Sequence, residues 1–348
     1  MKTQSRNRKF AIIAAVILVA GLILAGIGFL SGGMKSVEWV RGKGFVVASE
    51  EDNDEIVKVD ETFDSFKDID LNIDTLEKIT LKEGDTFSVV GENYEKLGGL
   101  KAELQGEKLI VSSQSENLKI MNFDFISAGK KCEVVITYPK DALLGNVVLK
   151  SSLSDLEVHG MNAGDLNFDV DTGDVLIENV KSNSVIGDVD LGECELRGIE
   201  SENLDVTADT GDLTMENVNS NKSDFEISLG TAEFTNVNLG SSEVKVDTGD
   251  VIGTDFRANG LIMDVSLGSI KLTNAIIEGT SEIVADTGDV NIEFAMKESD
   301  FSYVIDTDLG DVKINGEKKN GSVNVINNAS TSSLKIAVDL GSVTLAFK

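Results

Sequence analysis

Glycine recurs at a constant interval through the middle of this chain. The first six positions are Gly173, Gly192, Gly211, Gly230, Gly249 and Gly268, each nineteen positions after the last. The series continues at Gly288, Gly310 and Gly341, with spacings of 20, 22 and 31 residues. A sustained period of this length is typical of repeat architectures, in which each unit buries its apolar face against its neighbours.

The residues around each glycine alternate between apolar and polar. Apolar residues stand three and five positions before the glycine, as Val170 and Phe168 do, and two and four positions after it. An alternation with period two predicts half-buried strands. The position directly before the glycine, which is Thr or Leu, is also expected to point inward. The alternation then breaks at the glycine, which predicts a corner there. A second corner is expected six residues later, where Asn, Gly or Asp recurs.

Two short strands, two tight corners and one polar turn in about 19 residues predict one coil of an all-β parallel β-helix, or β-solenoid. Stacked coils would lie ~4.8 Å apart, and about ten of them would follow residue 147. The alternative is a coil of about 38 residues that contains two glycine corners. A composition with 33 Gly and one Pro, rich in β-branched residues, favours short strands joined by tight turns.

The N-terminal segment Phe10–Leu30 carries no charged residue. Its length, about 21 residues, allows a helix to span a ~30 Å hydrocarbon core. The preceding residues are basic, so the positive-inside rule places the N-terminus in the cytoplasm. A cleaved signal peptide is the rival interpretation, although its apolar region is normally shorter. The predicted organisation is a cytoplasmic tail (1–9), a transmembrane helix (10–30), a juxtamembrane linker (31–44), a β-rich capping region (45–146) and the solenoid (147–348).

The net charge is −29 at pH 7. Nucleic acid is excluded as a partner because its phosphates would be repelled, whereas cations and basic partners would be attracted. Cys132 and Cys194 lie 62 residues apart in strand-like stretches. Both are expected to be buried as small hydrophobic residues rather than joined in a disulfide.

Acidic residues flank the repeated glycines two positions before and one position after them. Both places are expected to point outward, so stacked coils would produce two acidic columns. Later coils alternate Asp with Ser or Thr, which separates the charges, but three successive coils do not. Such crowding indicates either a solvated edge or a site for calcium, which takes six to eight oxygen ligands. The candidate ligands are Asp171, Asp174, Asp190, Glu193, Asp209 and Asp212.

Enzyme classes find little support in the sequence. His159 is the single histidine, which disfavours a histidine-based catalytic triad. Phosphate-binding loops, dinucleotide fingerprints and zinc-ligand spacings are absent from the sequence. We therefore predict no catalytic residue and no cofactor-binding residue, with calcium as the one candidate ion.

The strand "VVITYP" precedes four phrases of the form S/T-G-D-apolar-x-apolar, at Thr172–Ile177, Thr210–Met215, Thr248–Gly253 and Thr287–Ile292, the last position of the third being glycine. In these motifs the chain resembles the putative-adhesin, domain-of-unknown-function family of bacterial envelope proteins. The resemblance implies a right-handed parallel β-helix, a single membrane helix and a place in the cell envelope. It brings no catalytic residues. The predicted function is a membrane-anchored extracytoplasmic binding module, adhesin-like, whose partner is an envelope polymer or a membrane protein. The alternative is a scaffold or sensor subunit of an envelope-stress response.

Overall fold

The computed structural model describes residues 37–40, 44–47, 55–114, 132–319, 321–327 and 330–348. The chain divides into two compact units. One comprises Met1–Asp54 and Glu116–Lys130, and the other comprises Glu55–Ser115 and Lys131–Lys348.

The described part of the first unit is an antiparallel hairpin of β1 (Val37–Val40) and β2 (Gly44–Val47). The predicted membrane segment Phe10–Leu30 lies outside the described residues. Among the residues that are described, the structure contains no helix with the length and apolar character needed to cross a membrane.

The second unit is built of strands, together with two single-turn 3-10 helices at Glu95–Leu97 and Glu298–Asp300. Its first six strands are β3 (Ile56–Phe63), β4 (Asp68–Gly84), β5 (Phe87–Tyr94), β6 (Lys101–Gln105), β7 (Lys108–Ser113) and β8 (Glu133–Pro139). The next ten are β9 (Leu144–Val170), β10 (Val175–Leu191), β11 (Cys194–Arg197), β12 (Glu200–Thr210), β13 (Leu213–Glu216), β14 (Asn219–Leu229), β15 (Ala232–Thr248), β16 (Val251–Asn259), β17 (Leu261–Leu267) and β18 (Ile270–Glu278). The last eight are β19 (Thr280–Thr287), β20 (Val290–Phe294), β21 (Phe301–Leu309), β22 (Val312–Ile314), β23 (Glu317–Lys319), β24 (Val323–Val325), β25 (Ser332–Leu340) and β26 (Val343–Ala346). The predicted all-β class is confirmed.

Successive repeats pair in parallel with an offset of nineteen positions. Val175 of β10 lies opposite Cys194 of β11, and Val189 lies between Val170 and Ala208. The offset confirms the shorter repeat unit, which we call a rung, and the alternative of twice that length is wrong. The parallel pairing also includes β4, which lies inside the region 45–146 that we predicted as a cap. The boundaries of that region stay a prediction.

The rungs do not follow sequence order at the C-terminal end. The last long strand, β25, pairs in parallel with β19 on one side and with β21 on the other, so Ile336 lies between Ile283 and Ile305. The rungs of Gly288, Gly310 and Gly341 therefore do not stack in the order in which they occur in the sequence. The final rung occupies the place between the two that precede it in sequence.

The N-terminal end shows the same exchange of order. Strand β4 pairs in parallel with β9 on one side and with β7 and β8 on the other. Antiparallel strands then cover the outermost rung at each end: β5 and β6 pair with β8 and β7, and β24 and β23 pair with β21 and β22. These strands occupy backbone groups that an open parallel edge would expose.

The core is a continuous column of apolar side chains inside the rungs. Phe225, Phe234 and Phe256 stack through it with ring centroids 5.8 and 5.6 Å apart. Cys132 and Cys194 are both buried and are not joined in a disulfide, as predicted. The second corner is also confirmed, because the residue six places after the glycine has a left-handed backbone. The positions with this conformation are Asn179, Gly198, Asn217, Asn236, Asp255 and Asn274, and Gly160 holds the equivalent place six residues after Ser154 in the preceding rung.

One inward position was predicted wrongly. The residue directly before the glycine points outward, and Leu229 at this place remains 53% exposed. Its neighbour two places earlier, Ile227, is buried. At each glycine corner, the four residues from two before the glycine to one after it therefore lie outside the core. The turn occupies more residues than the alternation of apolar and polar residues predicted. Candidate functional groups are consequently concentrated at this corner.

Candidate functional site

The repeated glycines form one ridge along the stack, and each approaches the backbone of the rung before it. Gly211 has φ +143°, and a Cβ built on it would lie 1.9 Å from the carbonyl oxygen of Gly192. No side chain fits that space, and the backbone conformation is itself one that favours glycine. In stacking order this glycine ridge is Gly173, Gly192, Gly211, Gly230, Gly249, Gly268, Gly288, Gly341 and Gly310.

The residue directly after each ridge glycine belongs to what we call the downstream acid column. Its carboxylate accepts the backbone N–H of the equivalent residue in the next rung. Asp174 Oδ1 accepts from Glu193 N at 3.0 Å, and Asp212 Oδ1 accepts from Thr231 N at 2.8 Å. Asp250 and Asp289 accept in the same way from Ser269 and Ser342. These outward N–H groups need partners, so the downstream acids have a structural role.

The residue two places before each ridge glycine belongs to the upstream acid column. Asp171, Asp190, Asp247 and Asp286 are exposed and form no salt bridge within the part of the chain that the structure describes. Asp209 accepts a hydrogen bond from the Ser228 hydroxyl at 3.3 Å. Within the described residues, the upstream column therefore presents its negative charge to solvent.

The six predicted calcium ligands are all exposed, and they lie on three consecutive rungs. They divide between the two columns, which stand on opposite sides of the glycine ridge. Among the described residues, no group of three or more His, Cys, Asp or Glu side chains is placed to hold a metal ion. Calcium binding at these six residues stays a prediction.

Asp188 extends the acidic surface beyond the corner. Partial burial raises the pKa of its carboxyl group, and the charges of Asp190, Asp169, Asp209 and Asp171 raise it further. Asp188 lies directly opposite Asp169 in the neighbouring rung. Sequence reasoning placed neither residue in the candidate site, although their spacing of exactly one repeat was a signal that could have found the pair.

The position between the upstream acid and the glycine carries Leu in alternate rungs and Thr in most of the others. We call these leucines the leucine column. In the stack, Thr210 lies between Leu191 and Leu229. Thr248 lies in the same way between Leu229 and Leu267. The column comprises Leu153 (50% exposed), Leu191 (51%), Leu229 (53%), Leu267 (52%), Leu340 (51%) and Leu309 (68%).

His159 lies in an ion network away from the corner. Its Nδ1 is 3.1 Å from Glu178 Oε2 and its Nε2 is 3.0 Å from Glu157 Oε2. Lys78 Nζ also contacts Glu157 Oε1 at 2.6 Å. Partial burial lowers the pKa of His159, but the hydrogen bonds and charges of both glutamates outweigh it, and the pKa is raised. The arrangement stabilises a charged imidazole between two carboxylates.

Known structures and families provide three comparisons. A putative adhesin from Bacteroides fragilis is 14% identical, with 84% of this chain and 97% of that chain covered and a TM-score of 0.35. A putative lipid binding protein from Parabacteroides distasonis is 12% identical, with 85% and 98% covered and a TM-score of 0.40. No curated protein matches the chain significantly. The model of the Toastrack DUF4097 family matches residues 66–346 of the 348, and the chain therefore belongs to that family.

Proposed function

We propose that this protein is a non-catalytic, adhesin-like binding module, anchored in the bacterial cytoplasmic membrane by Phe10–Leu30. The short basic tail would lie in the cytoplasm and the strand-built unit outside it. An uncharged segment long enough to span the bilayer, preceded by Lys and Arg, supports this orientation. The strand-built unit, with its glycine corner, would then lie within the cell envelope.

The single observation that carries the binding role is the upstream acid column. Its exposed carboxylates lie along successive rungs without salt bridges among the described residues, unlike the downstream acids, which hold backbone N–H groups. A line of unneutralised negative charge raises the local concentration of cationic groups and steers their approach. The partner would therefore carry positive charge, either on an envelope polymer or on a protein.

We also propose that the parallel stack is a right-handed β-helix. The constant offset of one repeat and the closed parallel pairing support this finer description. Right-handed crossovers are the rule for parallel strands in one sheet. An experimentally determined structure with left-handed rungs would contradict the proposal.

A role as scaffold or sensor subunit in an envelope-stress response is the second candidate. In this role the protein would act through a partner protein in the membrane. The two functions therefore differ in what the protein should retain.

The test is a pair of pull-downs with the full-length chain, one against purified cell-wall polymers and one against solubilised membrane proteins. The variant Asp171→Ser/Asp190→Ser/Asp209→Ser removes three charges from the upstream column and uses a residue type that the column already contains. The control Asp205→Ser/Glu226→Ser/Glu233→Ser removes three exposed charges elsewhere. Loss of wall polymer with the first variant only supports the binding module. Retention of a specific membrane protein instead supports the scaffold role, and equal effects of both variants contradict the corner as the site.

The topology has its own test. Protease added to intact protoplasts should remove the strand-built unit if that unit lies outside the membrane. Digestion that occurs only after lysis would mean that the orientation is inverted.

A further inference from the structure

The leucine column is an unusual surface for a protein this acidic. Single exposed apolar residues are common, but aligned apolar patches mark interaction sites. Here each member is at least half exposed, and the members occupy one corner of the stack. The same corner could carry Thr throughout, since Thr172, Thr210, Thr248 and Thr287 occupy this position in other rungs. The leucines are therefore not required by the turn.

The alternation of Leu and Thr continues into the exchanged last rungs. Thr287 lies opposite Leu267 on one side and Leu340 on the other. Leu309 follows Leu340 at the end of the stack. Leucine therefore occupies every second rung from Leu153 to Leu340.

The spacing of the column matches a helix better than an extended chain. Leucines in alternate rungs lie ~9.6 Å apart, because adjacent parallel strands are ~4.8 Å apart. Residues seven apart in an α-helix are ~10.5 Å apart along its axis. Residues on one face of an extended strand repeat at ~6.7 Å, which does not match.

The negative charge beside the leucine column determines which residues should lie beside the apolar stripe of that helix. The upstream acid column runs beside the leucine column, with Asp171, Asp190, Asp209 and Asp247 among its members and serine in the rungs of Leu229 and Leu267. A second copy of this corner would bring its own carboxylates against these, and an anionic lipid surface would be repelled as well. A helix with Lys or Arg beside its apolar stripe satisfies both features.

We propose that the leucine column is the docking surface for an amphipathic α-helix. The apolar residues of this helix would recur at heptad spacing, with basic residues beside them. This inference rests on the proposed binding function and names the chemistry of its partner. Leucine contacts would provide affinity and the upstream carboxylates would set orientation and raise the association rate.

The test uses a synthetic peptide of about 28 residues, long enough as a helix to reach past four leucines of the column. It carries Leu at heptad positions a and d and Lys at the flanking positions. One control peptide has the same composition scrambled, and a second replaces Lys with Glu. Binding to the full-length chain is measured by fluorescence anisotropy at low and high salt.

Two variants test the contribution of the leucine column. Leu191→Thr/Leu229→Thr/Leu267→Thr gives these rungs the residue found in their neighbours, so the strands should form as before. The matched control Ile186→Thr/Ile252→Thr/Ile262→Thr removes exposed apolar side chains of 46%, 37% and 50% exposure from other positions. Thermal melts establish that both variants are folded.

We expect the leucine variant to bind the striped peptide about tenfold more weakly or worse, with the isoleucine variant unchanged. High salt should weaken binding of the striped peptide, and the glutamate peptide should not bind. Equal binding of the striped and scrambled peptides, or equal effects of the two variants, would overturn the proposal. If envelope material is still captured through the upstream acids in that case, the proposed function survives without the helix. If neither is bound, both fail.

Discussion

The carboxylate of Asp212 accepts the backbone N–H of Thr231, which lies one rung further along the stack, at 2.8 Å. Asp209, three residues earlier, makes no such bond to the backbone and contacts the Ser228 hydroxyl instead. Two acids that look equivalent in the sequence thus differ in role. One completes the hydrogen bonding of the corner, and the other presents charge to solvent.

That difference predicts opposite effects of two substitutions. Asp212→Ala should lower the free energy of unfolding by about 0.5–1.5 kcal/mol, because the Thr231 N–H loses its partner. Asp212→Ser should cost less, since Ser269 and Ser342 accept the equivalent N–H groups at 3.4 and 3.3 Å. Asp209→Ser should be neutral or stabilising at low salt, because neighbouring carboxylates lose a repulsive charge. Denaturant unfolding at two salt concentrations measures all three. Equal losses for Asp209→Ser and Asp212→Ala would contradict the assignment of roles.

Gly211→Ala should be more damaging than either acid substitution. The added methyl group would occupy the space of the Gly192 carbonyl oxygen, and alanine would also have to adopt a backbone conformation with φ +143°. We expect a loss of about 2 kcal/mol or more, measured as a shift in the denaturant midpoint. Gly106→Ala is the control, because its Cβ would meet nothing within 4 Å although its φ is also positive. A Gly211 variant no less stable than the Gly106 variant would show that the close approach is unimportant.

The order of the last rungs can be tested by cross-linking. Val284 lies directly opposite Ala337, whereas Asp306, which follows Val284 in sequence order, lies beyond Ala337. The variant Val284→Cys/Ala337→Cys should form a disulfide under mild oxidation, because adjacent strands bring Cα atoms within the permitted range. Val284→Cys/Asp306→Cys should not, since two rungs separate these residues by ~9.6 Å. Non-reducing electrophoresis after proteolysis reads the result, and the reverse pattern would restore sequence order.

The ion network of His159 predicts a dependence of stability on pH. The pKa of His159 is raised in the folded protein, so its stabilising contribution is complete below about pH 6.5, the pKa of an unperturbed histidine. The contribution is lost as the pH rises through the higher folded value. The melting temperature of the unmodified protein should therefore fall across this range relative to that of His159→Gln. A constant difference between the two proteins from pH 5.5 to about 8.5 would contradict a charged imidazole.

Calcium binding at the six crowded acids remains testable. Binding to the folded protein alone would raise the melting temperature in millimolar calcium, with a dissociation constant no better than ~10⁻⁴ M. Asp190→Ser/Glu193→Thr should abolish the rise, because it replaces the acids of the middle rung with Ser and Thr. The remaining carboxylates are then separated by an uncharged rung, as they are in later rungs. Asp247→Ser/Asp250→Thr, on an isolated acidic rung, should leave it unchanged. An equal rise with magnesium at matched ionic strength would reduce the effect to screening of charge.

Much of the fold could be read from the order of residues alone. The repeat period, the buried columns such as Val170 and Val189, the glycine corner and the left-handed corner at Asn217 were all predictable. Each follows from local chemistry: alternation defines a strand face, and only certain residues tolerate the backbone of a corner. The six exposed acids were predictable for the same reason.

The tertiary structure decided what depends on contacts between distant residues. All rungs share one pattern of side chains, so the sequence does not show whether β21 or β25 stacks on β19. In the structure β25 lies between β19 and β21. The outward direction of Leu229 depended on the width of the turn, which the position of the neighbouring rung determines. Likewise, the separate roles of Asp209 and Asp212 arise because a backbone N–H from the next rung reaches one carboxylate and not the other.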